Sequence, residues 1–166
     1  DYGNYRKWSS VDAKKNNFRD MVTAHRLMGY DLLMNEHRFL EQGADRIAII
    51  GVENWGMGPA HRFPKYGKLA EACKGTEEVP VRLLLSHDPS HWDAQIRPEF
   101  PDIAVTFAGH THGGQVCVPA VGALVTNCGL DRRMARGLHR WRGDSWLHVS
   151  AGVGTQPGRQ YTASRW

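Results

Sequence analysis

Cysteine is scarce in this 166-residue chain, and long hydrophobic runs are absent. The three cysteines, Cys73, Cys117 and Cys128, are odd in number and show no Cys-x-x-Cys spacing, so the sequence predicts neither a disulfide framework nor a thiolate zinc site. We interpret them as small core residues of a protein in a reducing compartment. The longest apolar runs are strand-sized, far short of the ~20 residues that a transmembrane helix needs, and no signal peptide opens the chain.

Neither sign of charge dominates the composition. With 21 Lys and Arg against 17 Asp and Glu, the net charge of +4 mildly favours anionic substrates or surfaces and is not a nucleic-acid signature. No specific nucleic-acid partner is therefore expected. We interpret the one basic cluster as a solvated face, with contact to phosphate or lipid headgroups as the alternative. This cluster consists of Arg132, Arg133, Arg136, Arg140 and Arg142, with Trp141 among them.

The predicted elements alternate between helix and strand, which indicates an α/β fold in a single domain over residues 1–166. Asp12 is a plausible N-cap for a helix that runs to about Met28, with Gly29 as its stop. Leu83–Leu85 and Ile103–Ala108 lack strict alternation, as expected of strands covered on both faces. The other predicted elements are strands at 31–35 and 46–52 with a turn at 41–45 between them, a short helix at 69–73, and strands at 116–118 and 146–150.

The most informative segment is Gly109–Gln115, which directly follows the apolar stretch Ile103–Ala108. It places His110 and His112 one residue apart among glycines, where each ring can turn a nitrogen toward a cation. Gly109, Gly113 and Gly114 allow positive φ and close approach of the backbone to a ligand. The alternative is a glycine turn that holds two exposed histidines.

A third histidine follows another short apolar strand. Val81–Leu85 runs into Ser86, His87, Asp88 and Pro89. Because open α/β sheets bind ligands outside the carboxyl ends of their strands, adjacent strands that deliver histidines to one edge predict a metal site. Taken alone, His87 could equally cap a turn, with Asp88 and Pro89 breaking the strand.

Together, 86–89 and 109–115 resemble the last two metal-binding motifs of the calcineurin-like metallophosphoesterases, especially the bacterial, often membrane-associated branch. The segment 51–56 is similar to this branch as well. The resemblance implies a β-sandwich of mixed sheets flanked by helices and two divalent metal ions (Mn, Fe or Zn) that share a hydroxide. It implies that His87 and His110 bind one ion and His112 the other. A phosphorylated small molecule or a lipid-linked compound would be the substrate.

The chain departs from this family at its beginning. It lacks the Asp-x-His and Gly-Asp-x-x-Asp motifs, and Asp1-Tyr2-Gly3 resembles the point where the Gly-Asn-His-Asp motif ends. We therefore expect an incomplete catalytic domain that lacks N-terminal strands and contains no catalytic residue. On its own it should be inactive or nearly so, and its sheet should have an exposed edge. A missing N-terminal segment could also associate the parent protein with a membrane.

Weaker signals leave other readings open. Asn54 could reach a substrate, although Trp55–Pro59 is typical of a surface loop, and we read Gly152–Gly158 as a loop rather than a dinucleotide site. A metallo-β-lactamase-like zinc hydrolase is disfavoured because Gly113 and Gly114 stand where its Asp-His would continue. The remaining alternatives are an anion-binding module and an inactive fragment without chemistry of its own.

Overall fold

A computed structural model describes residues 7–58, 64–114, 116–118, 122–125, 131–141, 143–152, 155–156 and 159–160. The helical elements are α1 (Val11–Leu27), α2 (Leu69–Cys73), a π-helical turn (Trp92–Ile96) that continues into α3 (Arg97–Glu99), and a 3₁₀ turn (Arg132–Met134). The strands are β1 (Glu36–Gln42), β2 (Asp45–Gly51), β3 (Val81–Leu85), β4 (Val105–Ala108), β5 (Val116–Val118), β6 (Gly122–Val125), β7 (Gly137–Arg140), β8 (Trp146–Val149), β9 (Thr155–Gln156) and β10 (Arg159–Gln160).

The structure is an α/β fold built on a mixed six-stranded sheet with the order β1-β2-β3-β4-β8-β7. The four central strands are parallel, and the two outer strands, β1 and β7, run antiparallel to their neighbours. Two short ladders, β5-β6 and β9-β10, complete the pairing in the described part of the chain. Since β2, β3, β4 and β8 are parallel, their carboxyl ends lie at one edge of the sheet.

The core lies on one face of this sheet. Alternate side chains of the central strands, such as Ile50, Leu84 and Leu147, are fully buried and cluster with Trp92 and Ile96 of the π-helical turn. The expectation that the central strands are covered on both faces is wrong for the described residues. Adjacent residues of a strand point to opposite sides, so the residues next to these buried ones lie on the other face of the sheet. Several apolar side chains on that face are exposed. These are Val81 (39% exposed), Leu85 (44%) and Phe107 (40%).

The N-cap of helix α1 lies two residues before the predicted one. Ser10 has extended backbone angles, and its hydroxyl accepts a hydrogen bond of 3.0 Å from the Ala13 amide, which makes Ser10 the cap. Asp12 lies in the first turn instead, where a carboxylate interacts favourably with the helix dipole. The predicted stop is confirmed, because Gly29 adopts a φ of +81° just after the helix.

The first strand is also displaced from its predicted position. The strand spans Glu36–Gln42 rather than 31–35, and the turn to β2 is Gly43-Ala44, with Gln42 opposite Asp45. A φ of +62° at Gly43 permits this tight reversal. β1 lies at the edge of the sheet and is rich in charged and polar residues, so the periodicity of apolar residues gave no signal for it.

Other predicted elements are confirmed. The short helix 69–73 has the predicted bounds, and strands occur at 116–118 and 146–149. Cys73 is a buried core residue, whereas Cys128 and the side chain of Cys117 lie outside the described residues. Most of the glycine-rich segment 152–158 lies outside them too. None of the described helices is long and apolar enough to cross a membrane.

Candidate metal centre

The tips of β3 and β4 bring two of the predicted histidines into contact. Backbone hydrogen bonds continue past the paired strands, with the Ser86 amide donating to the Phe107 carbonyl and the Gly109 amide to the His87 carbonyl. These bonds fix the two tips side by side. His87 Nε2 lies 3.0 Å from His110 Nδ1, and the rings meet edge to face with centroids 4.7 Å apart.

This pair of nitrogens fits a shared cation. Two nitrogens bonded to one ion at about 2.1 Å lie roughly 3.0–3.4 Å apart for coordination angles between octahedral and tetrahedral values. The observed 3.0 Å falls at the short end of that range, and it also suits a hydrogen bond between two neutral rings. His112 is exposed, and no group of three or more potential metal-ligating side chains assembles within the described part of the chain. The structure therefore brings together His87 and His110.

The loop after β4 has an unusual backbone. His110 and His112 adopt φ values of +64° and +53°, and Gly113 and Gly114 follow at +70° and +90°. Gly109, in contrast, is not among the positive-φ glycines, so the left-handed positions fall on the histidines themselves. Thr111 anchors this loop, because it is fully buried and its hydroxyl donates to the Ala135 carbonyl at 2.5 Å. Strained non-glycine residues of this kind cluster at functional sites.

Asp88 is a site residue that sequence reasoning treated only as a strand breaker. Its side chain is buried, its Oδ1 accepts a hydrogen bond of 2.8 Å from the Ser90 amide, and its Oδ2 faces His110 Nε2 at 3.9 Å. The carboxylate thus faces the ring nitrogen of His110 that does not contact His87. At this distance the interaction is electrostatic rather than a hydrogen bond. The sequence signal was Asp88-Pro89-Ser90 ahead of a helical turn, which is typical of a helix start.

Both rings of the pair are held in the neutral form that binds metal. Desolvation lowers the pKa of His87 to about 4, and the neighbouring His110 ring adds to the shift. Desolvation also lowers the pKa of His110, although Asp88 opposes that effect. A neutral imidazole has a free lone pair on one nitrogen, so both rings are suited to coordination at neutral pH.

Asn54 lies after β2, at the same edge of the sheet, and its amide group donates to the Pro64 carbonyl at 3.1 Å. Its own carbonyl accepts from the amides of Tyr66 and Gly67, so Asn54 closes the base of the loop 54–67. Contact of Asn54 with a substrate stays a prediction. The sequence gave no indication of Asn35, whose side chain binds the amides of Glu53 and Lys68 from the other side of this loop.

Residues 55–58 form no helix or strand, as predicted for a loop, but part of this loop is buried. Gly56 is buried against Asp88, and the Met57 amide donates to the Ser90 hydroxyl at 2.8 Å. Trp55 stacks on the buried ring of His91, with centroids 4.3 Å apart. The loop therefore packs directly on the segment that carries His87.

The basic cluster behaves as a set of local pairs. The Arg133 side chain is 89% exposed and pairs with Asp131, and Arg140 pairs with the exposed Asp144. Side chains of Arg132 and Arg142 lie outside the described residues. The exposure of Arg133 and Arg140 agrees with a solvated face and provides no argument for a phosphate cradle.

Burial of His91 predicts that the protein loses stability in acid. Desolvation lowers the pKa of His91 from 6.5 to about 4, so the unfolded chain binds a proton more readily than the folded one. The free energy of unfolding should therefore fall as the pH drops from 6.5 toward 4, by up to about 3 kcal/mol from this residue. Urea titrations at several pH values test this. A His91→Phe variant should show a shallower pH dependence, and an unchanged slope would contradict the prediction.

Comparison with known proteins finds two relatives whose names include a metallophosphoesterase. The chain is 28% identical over 158 residues to the uncharacterized metallophosphoesterase YkoQ of Bacillus subtilis (strain 168), a match that covers 92% of the chain and 53% of that protein. It is 34% identical over 113 residues to a transmembrane protein with metallophosphoesterase domain of Danio rerio, covering 63% of the chain and 25% of that protein. The chain spans about half the length of the first relative and a quarter of the second. No protein-family profile matches the chain. The names of the two relatives support a metallophosphoesterase family.

Proposed function

We propose that the chain supplies one wall of the metal centre of a metal-dependent phosphoesterase, with His87, His110 and His112 as its metal ligands. The contact between His87 Nε2 and His110 Nδ1, 3.0 Å apart at the tips of neighbouring parallel strands, carries this proposal. His112 lies two residues beyond His110 on the same strained loop, which suits a role at a second, adjacent ion. The names of both relatives support the phosphoesterase part of this proposal.

The residues of this chain would bind and orient the ions. His87 and His110 would present neutral nitrogens, and the buried Asp88 carboxylate would place negative charge 3.9 Å from His110 Nε2. Divalent ions bound there would supply positive charge against the phosphoryl oxygens and lower the pKa of a bound water. Imidazole ligands suit manganese, iron or zinc.

We further propose that the catalytic domain is completed by polypeptide outside these 166 residues, and that the isolated chain is inactive or nearly so. The substrate would be a phosphodiester, phosphomonoester or pyrophosphate, carried by a small molecule or a lipid. Membrane association of the parent protein is consistent with one relative being named a transmembrane protein.

Hydrolysis of a chromogenic phosphodiester by the full-length natural protein tests this function. With Mn²⁺ present, His87→Ala and His110→Ala should each reduce turnover by more than the roughly 10–100-fold that loss of an outer-shell partner costs. The matched control is His25→Ala, because His25 is half-buried on α1, where its ring contacts the Met21 carbonyl and the Tyr30 ring. Equal activity of His110→Ala and the control would exclude the proposed site.

A further inference from the structure

A series of side-chain hydrogen bonds begins at the buried Ser86, the residue directly before His87, and ends at the exposed Glu99. Ser86 Oγ lies 2.8 Å from His91 Nδ1, and His91 Nε2 lies 2.9 Å from Gln95 Oε1. Gln95 Nε2 in turn donates to Glu99 Oε2 at 3.2 Å. Ser86 and His91 are almost completely buried, at 4% and 0% exposure.

The carboxylate of Glu99, at the end of this series of hydrogen bonds, determines which atoms of the series donate. The Glu99 carboxylate only accepts hydrogen bonds, so Gln95 must turn its amino group toward Glu99 and its carbonyl oxygen toward His91. His91 Nε2 must then carry the proton, which leaves Nδ1 as an acceptor for the Ser86 hydroxyl. Only one tautomer of His91 satisfies all three bonds. The spacing of His91, Gln95 and Glu99, four residues apart along a helical segment, is what aligns them.

A stacking contact on the face of the His91 ring also restrains it. Trp55 stacks on it with an interplanar angle of 25°, and Lys65 Nζ lies 3.9 Å from the centroid of the Trp55 ring on the loop 54–67. Stacking on one face and hydrogen bonds at both nitrogens leave the ring little freedom to turn.

We propose that His91 is a positioning residue: it holds the Ser86 hydroxyl, and with it the tip of β3, in the place that brings His87 against His110. This inference rests on the proposed function in one respect: the histidine pair that His91 helps to position is taken to be a pair of metal ligands. Ligand rings must be held to within about 0.5 Å for a site to work, and supporting residues provide that precision. Ser86 is the only residue between β3 and His87, so its position controls where the His87 ring begins.

Four variants of the full-length protein test the proposal by their affinity for Mn²⁺ or Zn²⁺, measured by calorimetry. Ser86→Ala and His91→Phe should each weaken binding roughly tenfold, the lower end of what outer-shell changes cost. The double variant should be no worse than either single one, because both remove the same bond. His91→Asn should recover most of the lost affinity, since the side-chain carbonyl oxygen of asparagine can take the place of Nδ1 and accept a hydrogen bond from Ser86.

A structural control separates positioning from simple destabilisation. Thr76→Val removes another fully buried hydroxyl, which donates to the Cys73 carbonyl at 2.7 Å. Thr76 precedes β3, whereas Ser86 follows it. It should lower the stability to urea without changing cation affinity. If His91→Phe remains folded and binds cations as tightly as the wild type, or no more weakly than Thr76→Val, the positioning role is excluded.

The NMR signals of the His87 and His110 rings test the positioning role independently of metal binding and hydrolysis. In metal-free protein, His91→Phe should shift the ¹⁵N ring signals of both residues, and His91→Asn should restore them. If the wild type neither binds cations nor hydrolyses phosphodiesters while these shifts occur, the function fails and the positioning role stands. Unchanged ring signals in folded His91→Phe would overturn the positioning role by themselves.

Discussion

Replacing Gly56 with alanine is expected to damage the site although Gly56 lies outside both histidine motifs. A Cβ at this position would lie 2.5 Å from Cγ and 2.9 Å from Cβ of Asp88. Because Asp88 is buried and faces His110, it cannot move away without disturbing that ring. We expect a loss of roughly 1–3 kcal/mol in the free energy of unfolding, typical of overpacking, and weaker cation binding. Urea denaturation and calorimetric titration with Mn²⁺ measure the two effects.

Gly109→Ala is the matched control for this prediction, because Gly109 belongs to the motif itself. A Cβ there would meet nothing within 4 Å, and its φ is not positive. Its stability should change by less than about 0.5 kcal/mol, as for most substitutions at unconstrained positions. The prediction is contradicted if Gly109→Ala proves the more destabilising of the two.

The second large expected effect is a difference in lost stability between alanine substitutions at two neighbouring leucines of β3. Leu84 is fully buried among Ile50, Leu147 and the π-helical turn, whereas Leu85 is 44% exposed on the other face of the sheet. Leu84→Ala should cost about 2–5 kcal/mol because it removes buried methyl groups and leaves a cavity. Leu85→Ala should cost roughly 1 kcal/mol, in line with its partial burial.

Equilibrium unfolding of the 166-residue chain in urea gives both values, and equal slopes would show that the same transition is measured. Comparable losses at the two positions would mean that Leu85 is covered in solution. The asymmetry described for the sheet would then be wrong.

Strongly patterned elements of the fold could be predicted from the sequence. The apolar strands around Leu84 and Thr106 and the helix stop at Gly29 depend on local patterns, and they occur as predicted. β1 was misplaced because an edge strand needs no apolar face of its own. The helix start was displaced because Ser10 and Asp12 are both good caps, and the choice depends on which one adopts extended backbone.

The residues of the candidate site also fall into those that the sequence pattern predicts and those that it does not. His87 and His110 could be predicted because the rule for parallel strand ends places them at one edge, and the structure brings their rings together. Their supports could not be predicted. Gly56 and Trp55 reach the site through a loop whose path depends on tertiary packing, and His91 depends on a helical turn that follows a proline. The contacts of Gly56 with Asp88 and of Trp55 with His91 join residues about 30 to 40 positions apart, which local pattern does not encode.

The parallel arrangement of β3 and β4 has a consequence for how the protein folds. Parallel neighbours cannot form a hairpin, so the chain must first complete the crossover through the π-helical turn and α3 before the two strands align. The hairpin of β1 and β2 closes through two residues and can form early, while the imidazole pair must await the slower closure. A cation added to the denatured chain therefore finds no preformed chelate and should leave the refolding rate unchanged, acting only by slowing unfolding of the finished domain.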